Sequence, residues 1–520
     1  MLMLTLLLGI VFFAIYKRQQ QMTTFKRLRI PGPKPNFILG NSIDIAREGT
    51  HAVFPKWTKK YGPIVGFYLG GHPVILTTDF ELMRRVLVKD FHKFSNKGEL
   101  VKGGINPVPQ LRKMLVWTQD NAWRHLRASM SPSFSAYKLT AMEPLMMSSI
   151  DKMVSELEDM AKSGEEFNVK SYISELTFSS GVKCIFGLDF SLRQLTKESK
   201  KFLEVTLPRL EKSMLAIIML LFPSLTCIAY PLRVCWERIR FHMLWSPEGA
   251  CYDMTKKILK IRKDLQTQSV DFLQLLMNTK RVQTATDKDL EMSSEDVEQN
   301  NKSLSKDAHR ENISEDEIVS NAMLFLLATF ETTSVTLQYC LHNLINHQNI
   351  QDELRSELRK AVDRVGKPIT SSTLSEVPLL NHIVKETLRM FPPVSPFVTR
   401  VANEDYQYED IVIPKGTTVF IGVSSIHNDP HYWPEPEEFR PQRFESDYDK
   451  LSFLPFGAGP RNCIGMKFAY MEAQLALAKL ILKYRFEPGP STEKKIETME
   501  TFASLIPKNG VFCKVTRIEE

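Results

Sequence analysis

Cys463 stands in the stretch FLPFGAGPRNCIG, residues 453–465. Gly457, Gly459 and Pro460 crowd the chain ahead of it, Arg461 lies two residues before it and Gly465 two after. Three chemistries use parts of such an arrangement. A dinucleotide loop needs G-x-G-x-x-G, but the sixth position here is Asn462 and a proline follows the second glycine. A nucleophilic cysteine needs a histidine base, and no sequence feature nominates one. A metal thiolate needs a protected sulfur of lowered pKa. A helix expected to begin near Cys463 and run to about Leu482 supplies both, since its free N–H groups and its dipole favour a negative sulfur. The glycines let the backbone approach a flat cofactor with no Cβ in the way. Arg461 is placed to pair with a carboxylate, and Phe456 adds an aromatic ring. One thiolate, one arginine and small residues fit haem iron better than zinc, which takes three or four protein ligands.

Other candidates are scattered along the chain. WRHLR carries Trp123 and Arg127, LLATFETTS carries Ala328, Thr329, Glu331 and Thr332, and ETLR carries Glu386 and Arg389. PFVTR ends in Arg400 and RPQRF contains Arg443. Glu386 and Arg389 share one helix face, a spacing that on its own describes an ordinary surface pair. Each arginine alone reads as a solvated charge. Threonines inside a helix can bond back to the carbonyl four residues earlier and bend it.

These residues need a large folded body to bring them together. The chain has 520 residues, 43% hydrophobic and 24% charged, enough for a sizeable core. Length alone corresponds to roughly three or four domains, but no boundary is visible in the pattern beyond residue 36. Net charge is +7, a mild excess that suits an acidic protein partner or an anionic membrane. No basic block dense enough for a nucleic-acid arm is present, and no nucleic-acid partner is expected. The seven cysteines are odd in number and irregularly spaced, which argues against a disulfide framework and for a reducing compartment. No C-x-x-C zinc pair or C-x-x-C-H haem attachment occurs.

The N-terminus reads as a membrane anchor over residues 1–17. LMLTLLLGIVFFAIY is apolar throughout and spans about 22 Å as a helix, short of the ~30 Å hydrocarbon core. Lys17, Arg18, Lys26, Arg27 and Arg29 follow it and nothing basic precedes it, so an uncleaved signal anchor with a cytosolic body is expected. A thin bilayer such as the endoplasmic reticulum suits that length. Residues 18–35 form a basic, proline-rich hinge ending in RIPGPKP. IVGFYL and HPVILTT around Gly70-Gly71 predict a β-hairpin, and residues 81–280 read mostly as helix. MLAIIMLLFPSLTCIAYPL (214–232) is interrupted by two prolines, against a membrane span; it reads either as core or as a segment dipping into the membrane surface. Residues 284–312 are polar and should form a mobile loop. Ser314 and Glu317 make a capping box that should open a long helix. Helices are also expected at 351–365 and 375–390, and short strands with prolines from 391 to 455.

Taken together, Phe456, Gly457, Gly459, Arg461, Cys463 and Gly465 complete F-G-x-G-x-R-x-C-x-G, a pattern that resembles the haem loop of the cytochrome P-450 family. The resemblance runs from about Arg29 to the C-terminus, with the other motifs in order. It implies a mainly α fold: one large helical domain with a small β-sheet region over 36–520, plus the N-terminal anchor helix. It also implies haem b with Cys463 as axial thiolate, and Arg461, Trp123, Arg127 and Arg400 at the propionates. Glu386, Arg389 and Arg443 would form a buried ion-pair group that holds the haem loop. Ala328 would lie over the haem, while Glu331 and Thr332 would organise water and deliver protons for oxygen activation. Thr329 departs from the family pattern, which has glycine there, and this β-branched side chain should narrow the groove where oxygen sits.

The implied activity is insertion of one atom of O2 into a lipophilic small molecule. The chain has no flavin or nicotinamide module, so the resemblance implies electrons from NADPH through a separate NADPH-cytochrome reductase, with cytochrome b5 as an alternative donor. Lys113 and Lys467 would suit such an acidic donor. By family layout Phe325, Val394, Phe397 and Phe502 join Ala328 and Thr329 around the substrate. The motifs look most like those of the microsomal drug- and xenobiotic-oxidising group, which also resembles thromboxane synthase. Two other functions remain open from sequence: a haem-thiolate isomerase or dehydratase that rearranges a lipid peroxide without reductase, and a non-enzymatic haem- or ligand-binding membrane protein. A requirement for NADPH and reductase separates them. Glycosylation of the sequons at Asn301 or Asn312 would reverse the expected orientation.

Overall fold

The computed structural model describes residues 2–98, 107–190, 192, 214–243, 246–266, 268–282, 312–366, 369–394, 398–501 and 504–518. Phe397, Phe502 and nearly all of the 284–312 segment, for which sequence-based expectations were set, lie outside the described residues.

The described chain is mainly helical. The helices that matter for the site are α1 (Leu2–Met22), α2 (Asp120–Met130), α3 (Ala136–Ser163), α4 (Lys170–Phe186), α5 (Met214–Leu221), α6 (Thr226–His242), α7 (Glu315–Asn346), α8 (Pro378–Met390) and α9 (Met466–Lys483). α7 starts where the sequence places it. The Ser314 backbone N–H donates to Glu317 Oε2 at 2.7 Å, and the Glu317 N–H donates to Ser314 Oγ at 3.3 Å. Glu315, Asp316 and Glu317 fill its first turn, where their charge complements the dipole. α7 is long and apolar enough to cross a membrane by composition, but it is mostly buried inside the protein. It packs along α4 and also touches α8 and α9. Leu337, Leu341 and Leu344 of α7 join Leu475, Leu477 and Ile481 of α9 in one large apolar core.

The small sheet has the order β1 (Ile64–Leu69), β2 (His72–Thr77), β4 (Thr418–Ile421), β3 (Thr399–Val401). The expected hairpin forms between β1 and β2, with Ile64 opposite Thr77 and Leu69 opposite His72. Gly70 takes φ +56 in the connecting turn, as a two-residue hairpin turn requires. β2 runs parallel to β4, and β3 closes the edge antiparallel to β4. Arg400 is thereby fixed on the edge strand, opposite Val419.

The proline-rich segment is not a free spacer. Gly66 of β1 donates its N–H to Pro31 O at 2.8 Å, so the hinge lies against the sheet. Arg18, at the end of α1, donates Nε to Phe37 O at 2.7 Å and Nη2 to Gly70 O at 3.2 Å. The 214–232 stretch, readable as core or as surface, lies largely outside. Leu225, Ile228, Leu232, Trp236, Ile239 and Met243 form an exposed stripe along α6 and its ends, at the spacing of one helix face. Gly71 N–H bonds Leu220 O at 2.8 Å, docking α5 on the hairpin.

Candidate active site

The haem-loop candidate leads into α9. That helix begins at Met466, with Gly465 at its N-cap, three residues later than the sequence suggested for its start. The loop is closed by its own backbone: Cys463 N–H donates to Phe456 O at 2.9 Å and Asn462 N–H to Gly459 O at 3.0 Å. Gly457 and Gly459 both have left-handed φ, +71 and +70, which a side chain would strain. A Cβ on Gly459 would also lie 1.9 Å from Leu87 O. Gly459 therefore serves the turn and its contact with Leu87, while Gly457 combines its left-handed turn with a place on the cavity wall. Gly465 has ordinary φ and open surroundings.

A cavity of about 320 Å³ lies between this loop and α7. Cys463 faces it, along with Phe456, Ala328, Thr329 and Thr332. Phe325 and Val394 also line it, as expected for pocket residues. The sulfur is accessible only into this interior space, and burial pushes its thiol pKa up. A bond to the Gly465 N–H and the charges of Arg127 and Lys97 work in the opposite direction. Burial outweighs them, so the free thiol stays above its ordinary value. Coordination to a metal would itself remove the proton.

Trp123, Arg127, Arg400 and Arg461 all reach the same cavity. Arg461 stacks over the buried Trp123 ring, 4.0 Å from its centroid. Its Nε donates to Ser95 O at 2.9 Å and its Nη2 to Thr118 O at 3.0 Å. Arg127 clamps Asn462, the residue before the cysteine, donating to its backbone O at 3.0 Å and its Oδ1 at 2.8 Å. Arg400 donates to Thr399 O and Ala458 O, and its buried Nε has no acceptor among the described residues. Lys97, for which the sequence held no signal, lines the cavity beside them. Burial, then Arg400 and Arg461, push Lys97 down to about 7. Burial, then Arg400 and Arg127, push Arg461 to about 8, and burial alone takes Arg400 to about 10. Three arginines bonded to carbonyls and an amide rather than to carboxylates, plus a destabilised lysine, make a strongly cationic pocket. The site therefore fits a flat anionic group carrying two carboxylates beside a single thiolate, which describes haem.

Behind the loop, Glu386 and Arg389 are both fully buried. The pair is bidentate, with Arg389 Nε to Oε2 at 2.7 Å and Nη2 to Oε1 at 2.9 Å. Arg443 Nε reaches Glu386 Oε1 at 2.9 Å, completing the expected trio. His427, which the sequence did not single out, connects this trio to the loop. Its Nε2 accepts the Leu454 N–H at 2.8 Å, so its Nδ1 carries the proton donated to Arg389 O at 3.1 Å. Burial, then the Arg389 charge, push its pKa down to about 3.

On the opposite wall the threonines of α7 back-bond along their own helix. Thr332 Oγ1 donates to Ala328 O at 2.6 Å, and Thr329 Oγ1 to Phe325 O at 3.0 Å. Glu331 is not on the cavity wall. It faces Ser504 and Lys170, and burial pushes its pKa up against both. The acid and the alcohol that the sequence joins are therefore not brought together on the cavity surface. Lys113, expected to face an acidic donor, pairs with Asp316 of its own chain at 2.7 Å.

The cytochrome P450 family profile matches residues 30–514. The chain is 31% identical to cytochrome P450 3A9 of Rattus norvegicus over 527 residues, 99% of this chain and 97% of the relative. It is 32% identical to cytochrome P450 3A11 of Mus musculus over 504 residues, 94% and 92% of the two chains. Cytochrome P450 3A5 of Homo sapiens matches at 31% over 94% of this chain. The profile, the relatives and a cationic cavity built around one cysteine agree that the chain belongs to the cytochrome P450 family and is a haem-thiolate monooxygenase.

Proposed function

We propose that Cys463 is the iron ligand and that Arg127, Arg400 and Arg461, with Trp123, hold the haem propionates. The observation that carries this is the convergence on one cavity, beside the cysteine, of three guanidiniums that among the described residues bond to carbonyls and one amide, two of them buried. When bound, haem would supply O2 activation, its thiolate favouring O–O cleavage. The protein's part is to shield that centre and place the substrate. Phe325, Val394 and Ala328 offer an apolar wall, which supports a lipophilic substrate. Thr332 carries a hydroxyl facing the cavity and held to Ala328 O, a position from which it can hold a proton near the reacting oxygen.

Electrons are proposed to come from NADPH through a separate NADPH-cytochrome reductase, with cytochrome b5 as a second donor. The N-terminal apolar helix is proposed to anchor the chain in the endoplasmic reticulum membrane, with the catalytic body in the cytosol. The exposed apolar stripe of α6 and exposed Phe12, Phe13, Ile15 and Tyr16 of α1 support contact with a bilayer. The test is reconstitution of the full chain with haem and reductase in vesicles. The expected result is the thiolate-type carbon-monoxide difference spectrum of the reduced protein, and NADPH-dependent oxygenation of a lipophilic substrate. Turnover of a lipid peroxide without NADPH, and no NADPH-dependent product, would overturn the monooxygenase reading in favour of an isomerase.

A further inference from the structure

Gly181 lies well inside α4, flanked by the buried Ser180 and Val182. Its backbone is helical with no left-handed φ, so nothing in its conformation requires glycine. Glycine inside a helix is destabilising relative to alanine, which points to a packing reason. α7 supplies it. A Cβ on Gly181 would lie 3.4 Å from Leu326 Cδ1, an ordinary contact, but 3.0 Å from Thr329 Oγ1, which is closer than a side chain ordinarily comes. The missing side chain on α4 therefore makes room for one oxygen of α7. That oxygen is held within its own helix. Thr329 Oγ1 is 3.0 Å from Phe325 O and 3.1 Å from Leu326 O, so its proton goes to those carbonyls. Threonine in a helix has two ways to place its hydroxyl, and the room beside Gly181 is taken by the one seen here. Thr329 also lines the cavity, next to Ala328, Phe325 and Thr332. With its oxygen on the α4 side, the branch left for the cavity is the methyl group.

We propose that Gly181 and Thr329 form one specificity-determining pair. Gly181 takes up the hydroxyl, this fixes the threonine rotamer, and the rotamer turns the methyl group into the cavity beside Ala328. The side chain thus acts on the substrate by shape and has no part in moving protons. A cavity narrowed there admits a lipophilic molecule that presents an unbranched end to Ala328, and excludes one branched at that end. Thr329 is the residue that touches the substrate. Gly181 acts through it and is a positioning residue. What favours this over a seam that merely packs is that the glycine has no conformational cause, while the side chain it makes room for stands on the cavity wall.

The inference rests on this cavity being the haem site. Binding of n-butyl isocyanide and tert-butyl isocyanide to the haem-loaded full chain, followed by absorbance, tests both, because the two probes have the same composition and differ in shape. No isocyanide spectrum in the unaltered protein is a failure of the haem reading, and the proposal falls with it. The unaltered protein should bind the n-butyl probe more tightly. Thr329→Ser keeps the hydroxyl and removes the methyl group, and should cut that preference about 10-fold, the low end of what one carbon is worth in an apolar pocket. Thr329→Val keeps a methyl group on the cavity side without the hydroxyl, and should retain the preference. Gly181→Ala should push the threonine toward the cavity, weaken tert-butyl isocyanide binding further and lower the Tm. Adding Thr329→Ala should restore the Tm, since the new Cβ then meets no oxygen. An unchanged preference in Thr329→Ser, or an equal loss in Thr329→Val, overturns the role of the methyl group. Additive Tm changes in the double variant overturn the pairing. If Gly181→Ala alone fails to fold, the double variant decides the pairing: folding supports it, and failure to fold overturns it.

Discussion

The two walls of the cavity are built on opposite plans. The loop wall is held from many directions at once. Arg127 ties Asn462, His427 ties Leu454 to the Glu386–Arg389 pair, and Gly459 sits against Leu87. The backbone of the loop closes on itself, while its side-chain ties come from residues far away in sequence. The α7 wall is held by one helix, and Thr329, Thr332 and Thr336 each bond a carbonyl one turn earlier. A wall tied across the fold fixes the position of a cofactor. Side chains such as these three, whose hydroxyls are satisfied locally, can change without loosening the fold, which leaves substrate and proton handling free to vary. The Thr329 departure from the family pattern falls on that second wall.

The largest effect should come from the cysteine itself. Cys463→Ser should abolish the thiolate-type carbon-monoxide spectrum completely, and a variant that keeps it would remove the loop wall from the haem assignment. Next, Glu386→Ala strands Arg389, which is fully buried. It should cost about 3–5 kcal/mol of folding stability, as breaking a buried pair does, and haem incorporation should fail. Normal haem content would show that the trio does not support the loop.

His427 gives a pH-dependent test of the same wall. Its folded pKa, about 3, lies below its ordinary 6.5. The unfolded chain therefore takes up the proton first, and the stability this neutral ring contributes is complete above about 6.5 and lost as pH falls toward 3. Haem release followed by absorbance should rise across that window, and His427→Gln should flatten the dependence. An equally steep dependence in the variant would assign it to other groups.

The smallest structural effect belongs to the other wall. Thr332→Ala removes one neutral hydrogen bond, about 1 kcal/mol or less of stability, and should leave haem content and spectrum intact. Product should nevertheless give way to hydrogen peroxide at a similar rate of NADPH oxidation. Unchanged coupling would mean that Thr332 is only a helix-bending residue.

Sequence spacing alone exposed the elements whose cause is local. The Ser314 capping box and the hairpin at Gly70 each depend on residues a few positions apart and take the expected form, whereas the burial of the Glu386–Arg389 pair was expected only from the family resemblance. Lys97 and His427 left no mark in the pattern, because their roles arise only when distant segments meet around them. A further reason for Gly459 was invisible in the sequence, since the Leu87 carbonyl that excludes a Cβ there is hundreds of positions away. Glu331 sits beside Thr332 in sequence, but adjacent helix positions point in different directions, and only the packing decides which one faces the cavity.

By itself, the sequence determined the chemistry of this protein: a lone cysteine in a pattern that suits haem, and the helices and strands that carry its partners. The tertiary structure decided the electrostatics of the site. Whether a thiol is pushed up, a lysine held near 7 or the Glu472 carboxyl raised to about 7 depends on desolvation and on groups brought in from other elements. Those are properties of the assembled fold and of no segment alone.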